Sequence, residues 1–240
     1  MNTQFCVDCQ HCIFSEICQE CMFTQSVPAF THALQRRVQI RQGQCLFTAG
    51  EEVKHLIAVR SGCFTVVDED KTLLAVYTPG QLIGGENLYH SHYHTTAIAV
   101  QDAEVCMIDY SAMYGLSQLT LGTFSHTIKL LSETADDNLK MIKVLLQHDA
   151  FKKVAMFILL MSERNKAKSF TATPFSLPLQ QKEIASLLGI TTSTLRRSIA
   201  RLEAEKCIAL KSRKILINDA EMLRNSTVFH SKSRIDQSND

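Results

Sequence analysis

The chain has 240 residues, 45% of them hydrophobic and 20% charged, with a formal net charge of +1. That is the composition of a soluble globular protein with room for one large or two ordinary domains, and its overall charge advertises neither a nucleic acid nor a membrane. Its longest apolar stretch, Val154 to Met161, falls far short of the roughly 20 residues that span a bilayer. The N-terminus lacks the basic and apolar regions of a secretory signal, so the expected location is the cytoplasm.

Residues 1–30 read as a loop-rich, cysteine-rich arm without Lys or Arg. Cys6, Cys9, Cys12, Cys18 and Cys21 are five of the chain's nine cysteines. Thiols packed this closely near a chain end cannot staple a large core, and in a reducing compartment they point to metal or redox chemistry over disulfides. Cys9–Cys12 and Cys18–Cys21 are CxxC pairs, a spacing that lets two sulfurs of one turn face the same ion or cluster edge. Zinc and a reversible thiol–disulfide couple are alternatives for the same donors. Cys45, Cys63 and Cys207 look like core or surface thiols, and Cys106, in the apolar run Ala103 to Ile108, reads by itself as a small core residue.

Residues 31–124 change to short apolar runs separated by turns. The runs are Gln39–Arg41, Cys45–Phe47, His55–Arg60, Cys63–Val67, Leu73–Tyr77, Thr95–Val100 and Glu104–Ile108, with Gly43, Gly50, Gly62 and Gly80 between them. Strands at this even spacing predict an antiparallel barrel or jelly roll. His90, His92 and His94 alternate in its last long loop, where solvated histidines are expected.

The period then lengthens. Over 125–148, Ile128, Leu131, Ala135, Asn138, Ile142 and Leu145 step by three and four, a heptad seam on one long helix. A narrow stripe of this kind with an Asn in it favours pairing with a symmetry mate, so a homodimer is expected. Residues 149–223 begin with a second, more apolar helix, Asp149 to Asn165, and a polar connection. A first short helix then places Ile184, Ala185 and Leu188 inward, Gly189 ends it, and Thr191 or Thr192 caps a second helix with Leu195, Ile199 and Leu202 inward. This is a helix-turn-helix. Between Thr191 and Lys214 seven basic residues face two acidic ones. Thr191, Thr192, Ser193, Arg196, Arg197 and Arg201 are the expected DNA contacts on the second helix. Lys211 and Arg213 tip an expected hairpin wing, Cys207–Leu210 with Lys214–Ile217, against the phosphates. Residues 224–240 are a polar tail.

A cysteine arm, a small β-barrel, a long dimer helix and a winged helix-turn-helix in this order resemble the Crp/Fnr family of transcription regulators, and most of all its oxygen-sensing iron–sulfur branch. The resemblance implies an α+β chain with a cyclic-nucleotide-binding-like jelly roll. The branch's arm has the pattern C-x2-C-x5-C, which Cys9, Cys12 and Cys18 fit, with a fourth ligand at the end of the barrel where Cys106 stands. By that resemblance these four hold a [4Fe-4S] cluster, with Cys6 and Cys21 as possible substitutes. It also implies a palindromic operator in double-stranded DNA, RNA polymerase as partner, and activation or repression of anaerobic or respiratory genes. No Gly-rich phosphate loop or catalytic constellation is found, so an enzyme is not expected.

Three departures from the family stand out. Cyclic-AMP sensors carry an Arg-Ser pair after the loop that here reads Gly84-Gly85-Glu86; this chain has no Arg between Arg60 and the long helix, which argues against a cyclic nucleotide. The branch reads DNA with Glu-x-x-Ser-Arg, where this chain has Ser193, Arg196 and Arg197, so its operator is expected to differ. The branch's seam carries an Asp where this chain has Asn138, so pairing is expected to depend less on the cluster.

Overall fold

The structure is a computed structural model that describes residues 12–18, 36–111, 113–114, 121–166, 175–176, 179–211, 214–218, 221 and 223–224. The chain divides into two compact units, Met1–Asp137 and Asn138–Asp240.

Among the described residues of the first unit, eight strands form two antiparallel sheets. They are β1 (Arg36–Ile40), β2 (Cys45–Phe47), β3 (His55–Ser61), β4 (Phe64–Val67), β5 (Leu73–Tyr77), β6 (Leu82–Ile83), β7 (Thr96–Ala99) and β8 (Ala103–Asp109). One sheet has the order β1-β8-β3-β6, the other β2-β7-β4-β5. The expected β-barrel is thus a jelly-roll-like sandwich, two sheets that are not closed on each other. Its core draws Phe47, Phe64, Val66, Tyr77 and Ala97 together with Ile57, Val59, Ile83 and Val105 from the two sheets.

The sequence of β3, His-Leu-Ile-Ala-Val-Arg-Ser, is buried from its second residue onward, with none of the polar alternation of a half-exposed strand. Both faces are covered. Ile57 and Val59 enter the sandwich core, while Leu56 and Ala58 turn to a second cluster on the outer face. β8 does the same, with Val105 inward and Cys106 and Ile108 outward. This period-two alternation places Cys106 on the outer face. The turn into β4 needs Gly62: its φ is 86°, and a Cβ there would lie 2.4 Å from the Cβ of Ala103.

The long helix, α1 (Leu121–Leu145), starts four residues before its expected beginning at 125. It carries the boundary between the two units. Leu130 is buried in the outer-face cluster of the first unit, and Asp137 accepts a 2.6 Å hydrogen bond from Gln81 Nε2. In the second unit Val144 is buried.

The rest of the second unit is helical with a small sheet. α2 (Ala150–Lys166) is capped by Asp149, whose Oδ1 accepts from Phe151 N at 2.9 Å. Its Val154, Ala155, Phe157, Ile158, Leu160 and Met161 are buried, as a helix apolar on most sides must be. α3 (Gln181–Leu187) and α4 (Thr192–Ala204) are joined through Gly189, which has φ 63°. The wing is a hairpin of β10 (Ile208–Lys211) and β11 (Lys214–Ile217), paired from Ile208 with Ile217 to Lys211 with Lys214. A strand not expected from the sequence, β9 (Phe175–Ser176), adds to the outer side of β11. No helix among the described residues is long and apolar enough to cross a membrane.

Candidate metal centre and nucleic-acid interface

Of the arm, residues 12–18 are described. Ser15 N donates to the carbonyl of Cys12 at 2.9 Å, and Cys18 N to that of Phe14 at 2.8 Å, so the segment between the two cysteines closes as a helical turn. That turn drives Phe14 and Ile17, both fully buried, into the outer-face cluster beside Leu56, Leu82, Ile108, Met113 and Leu130. Cys12 and Cys106 are buried members of the same cluster, and Cys18 packs against it. Three of the four expected ligands therefore share one apolar cluster, built from the arm, the outer face of β3 and β8, and α1. Cys9, Cys6 and Cys21 lie outside the described residues. Among the described residues, no three His, Cys, Asp or Glu side chains are grouped so that they could hold a metal ion. As a donor set the three thiols fit an iron–sulfur cluster, which takes thiolates and is protected by an apolar surround. Cys63 and Cys207 are buried and Cys45 is exposed.

Glu16, between Cys12 and Cys18, has a role that its local pattern does not signal. Its Oε2 lies 2.5 Å from His126 Nδ1, and its Oε1 3.1 Å from Lys129 Nζ, both on α1. The hydrogen bond from Lys129 holds the Glu16 carboxyl below the usual carboxylate range, and the same bond raises Lys129. Arm and helix are thus joined twice, by apolar packing on Leu130 and by one carboxylate shared between His126 and Lys129.

The expected seam of α1 is largely open. Ile128, Ala135, Asn138, Ile142 and Leu145 are exposed, and Leu131 is half-buried against the cluster. Phe124, Leu139 and Leu146 widen the apolar surface. The buried Leu130 and Val144 stand on another face of the helix.

In the helix-turn-helix, Thr191 Oγ1 caps α4 by accepting from Thr194 N at 3.1 Å. It also lies 2.9 Å from Ser193 Oγ. Leu195, Ser198 and Leu202 are buried, which leaves Ser193, Arg196 and Arg197 exposed on the opposite side; Thr192 is half-buried. Arg201 has other partners: its guanidinium lies 4.0 Å from the centroid of the Phe151 ring, and its Nε donates to Glu205 at 2.8 Å. Arg213 and the side chain of Lys211 lie outside the described residues. Of the three loop histidines, two make ring contact. His90 and His94 meet edge to face with ring centroids 4.4 Å apart, while the backbone of His92 bridges to Glu52.

Residues 37–119 match the model of the cyclic nucleotide-binding domain, and residues 152–226 that of the Crp-like helix-turn-helix domain. The fumarate and nitrate reduction regulatory protein of Escherichia coli (strain K12) is 27% identical over 222 residues, which cover 90% of this chain and 89% of that relative. The anaerobic regulatory protein of Aggregatibacter actinomycetemcomitans is 26% identical over 235 residues, covering 95% of this chain and 91% of its own length. Among solved structures, FixK2 from Bradyrhizobium japonicum matches with a TM-score of 0.65 at 20% identity, over 80% of this chain and 96% of that one. At that identity the likeness speaks for the fold.

Proposed function

The chain belongs to the Crp/Fnr family of DNA-binding transcription regulators, and on that premise we propose that it is a homodimeric regulator of anaerobic or respiratory genes governed by an oxygen-sensitive [4Fe-4S] cluster. The family consists of regulators and not enzymes. The observation that carries the proposal is the burial of Cys12 and Cys106 in one apolar cluster with Leu130 of α1, with Cys18 packed against that cluster. The curated relatives named for fumarate and nitrate reduction support it.

In this reading Cys9, Cys12, Cys18 and Cys106 hold the cluster, with Cys6 and Cys21 as substitutes. When bound, such a cluster supplies a centre that oxygen or nitric oxide degrades. The protein's own residues do the rest. Phe14 and Ile17 exclude water from the thiols. Glu16 fixes the arm on His126 and Lys129. Leu130 carries the packing into α1, and the stripe from Ile128 to Leu145 pairs with that of a second copy. Two copies of α4 then address half-sites one DNA turn apart, roughly 34 Å, in a palindromic duplex. Thr191 caps α4, and Ser193, Arg196 and Arg197 face the bases. Lys211 and Arg213 of the wing meet phosphates. RNA polymerase is the downstream partner and the cytoplasm the compartment. A cyclic nucleotide has no arginine partner in this reading.

The test is anaerobic purification followed by iron and sulfide analysis and visible absorption. A brown protein with about four irons per chain, whose colour and DNA binding are both lost in air, is expected. A colourless protein that binds DNA equally in air and nitrogen contradicts the proposal and favours zinc or a thiol–disulfide couple on the same cysteines.

A further inference from the structure

Three arginines of α4 are engaged in three different ways. Arg201 is spent on the Phe151 ring and Glu205. Arg197 spends Nη2 on Thr194 Oγ1 of its own helix at 3.3 Å. Arg196 is held through its inner nitrogen instead: Nε donates to Oε1 of Gln181, the first residue of α3, at 2.8 Å. Its Nη1 and Nη2 carry no partner among the described residues. Both Arg196 and Gln181 are exposed.

This arrangement has a chemical consequence. A free surface arginine surrenders much rotamer freedom when it docks, and a partner that orders it beforehand removes part of that loss. A bond at Nε fixes the guanidinium and leaves its terminal fork open. That fork matches the two acceptors, N7 and O6, that guanine alone presents side by side in the major groove. Gln181 uses only its carbonyl oxygen on Arg196, so its amide nitrogen remains available to a phosphate, the contact expected where a first helix crosses the backbone.

We infer that Gln181 is a positioning residue for sequence readout, holding Arg196 so that its two Nη groups fork onto one guanine in each half-site. The inference rests on the reading of this chain as a sequence-specific DNA binder.

The experiment selects binding sites from a library of random duplex DNA under nitrogen, using the full chain. Gln181→Ala, Gln181→Glu, Arg196→Ala and the double variant Gln181→Ala with Arg196→Ala run beside the unaltered protein, with thermal melting to verify the fold. The unaltered protein selects a guanine at one position per half-site, and Arg196→Ala relaxes that position alone. Gln181→Ala lowers the guanine preference there about tenfold, Gln181→Glu retains it because the acceptor remains, and the double variant matches Arg196→Ala. A Gln181→Ala profile identical to that of the unaltered protein overturns the inference. So does an equal loss of binding to all sequences, the mark of a phosphate contact. If the unaltered protein selects no sequence at all, the reading of the chain as a sequence-specific binder fails, and the inference fails with it.

Discussion

Single side chains in this protein are set by neighbours far away in sequence. Tyr93 stacks on Phe47 with ring centroids 3.9 Å apart and is 5% exposed. Burial, then the carboxylates of Glu86 and Glu51, push its hydroxyl up to about 12 from 10.0. A raised acid pKa means that the folded state keeps its proton where the unfolded chain has lost it. Stability is therefore undiminished below pH 10 and falls as pH rises from about 10 to about 12. Melting temperature against pH for the unaltered protein and Tyr93→Phe should show a shallower alkaline decline in the variant; parallel curves contradict the assignment. At this scale the sequence was only partly legible. The cap of α4 was, because Thr191 acts within its own turn. Arg201 was not, because the ring it covers belongs to another helix, fifty residues earlier. Gln181 has the same character: nothing in its local pattern points to Arg196.

At the scale of elements, periodicity carried most of the information. The helix α1 and the strands β2 and β5 were legible because each imposes its own repeat or run on the residues themselves. The two-residue strands β6 and β9 were not, since two residues have no period. The seam's openness leads to a prediction: Ile142→Glu places a charge in each copy's stripe and should weaken dimerisation at least tenfold. Sedimentation should then find a monomer, and a dimer of unchanged affinity assigns the stripe elsewhere. The arm's attachment to α1 was illegible, because Glu16 carries no hint of partners 110 and 113 residues away. Exposed ion pairs are individually weak, so Phe14 and Ile17 hold the arm and Glu16 sets its placement. Glu16→Lys should lower anaerobic DNA affinity about two- to fivefold, with partial recovery when combined with Lys129→Glu. Equal affinities for all three forms leave the ion pairs without a role in signalling.

For the whole molecule, order along the chain was more informative than any single motif. Arm, jelly roll, long helix and winged helix-turn-helix were legible in that sequence of patterns, and the domain matches fall on the second and last of them. That Cys12 and Cys106 belong to one apolar cluster, with Cys18 packed against it, does not follow from spacing, since β8 alone gives its cysteine no distinction from a core residue. What makes it distinct is that β8 is buried on both faces and turns Cys106 to the side where the arm and α1 meet. Sensing, in this account, is the control of that packing, and one helix, Leu121–Leu145, carries residues of both compact units. The most direct measurement is operator occupancy by the unaltered protein and by Cys106→Ser, each under nitrogen and in air. The account predicts strong occupancy only for the unaltered protein under nitrogen, and weak occupancy in the other three cases. Equal occupancy in all four contradicts it.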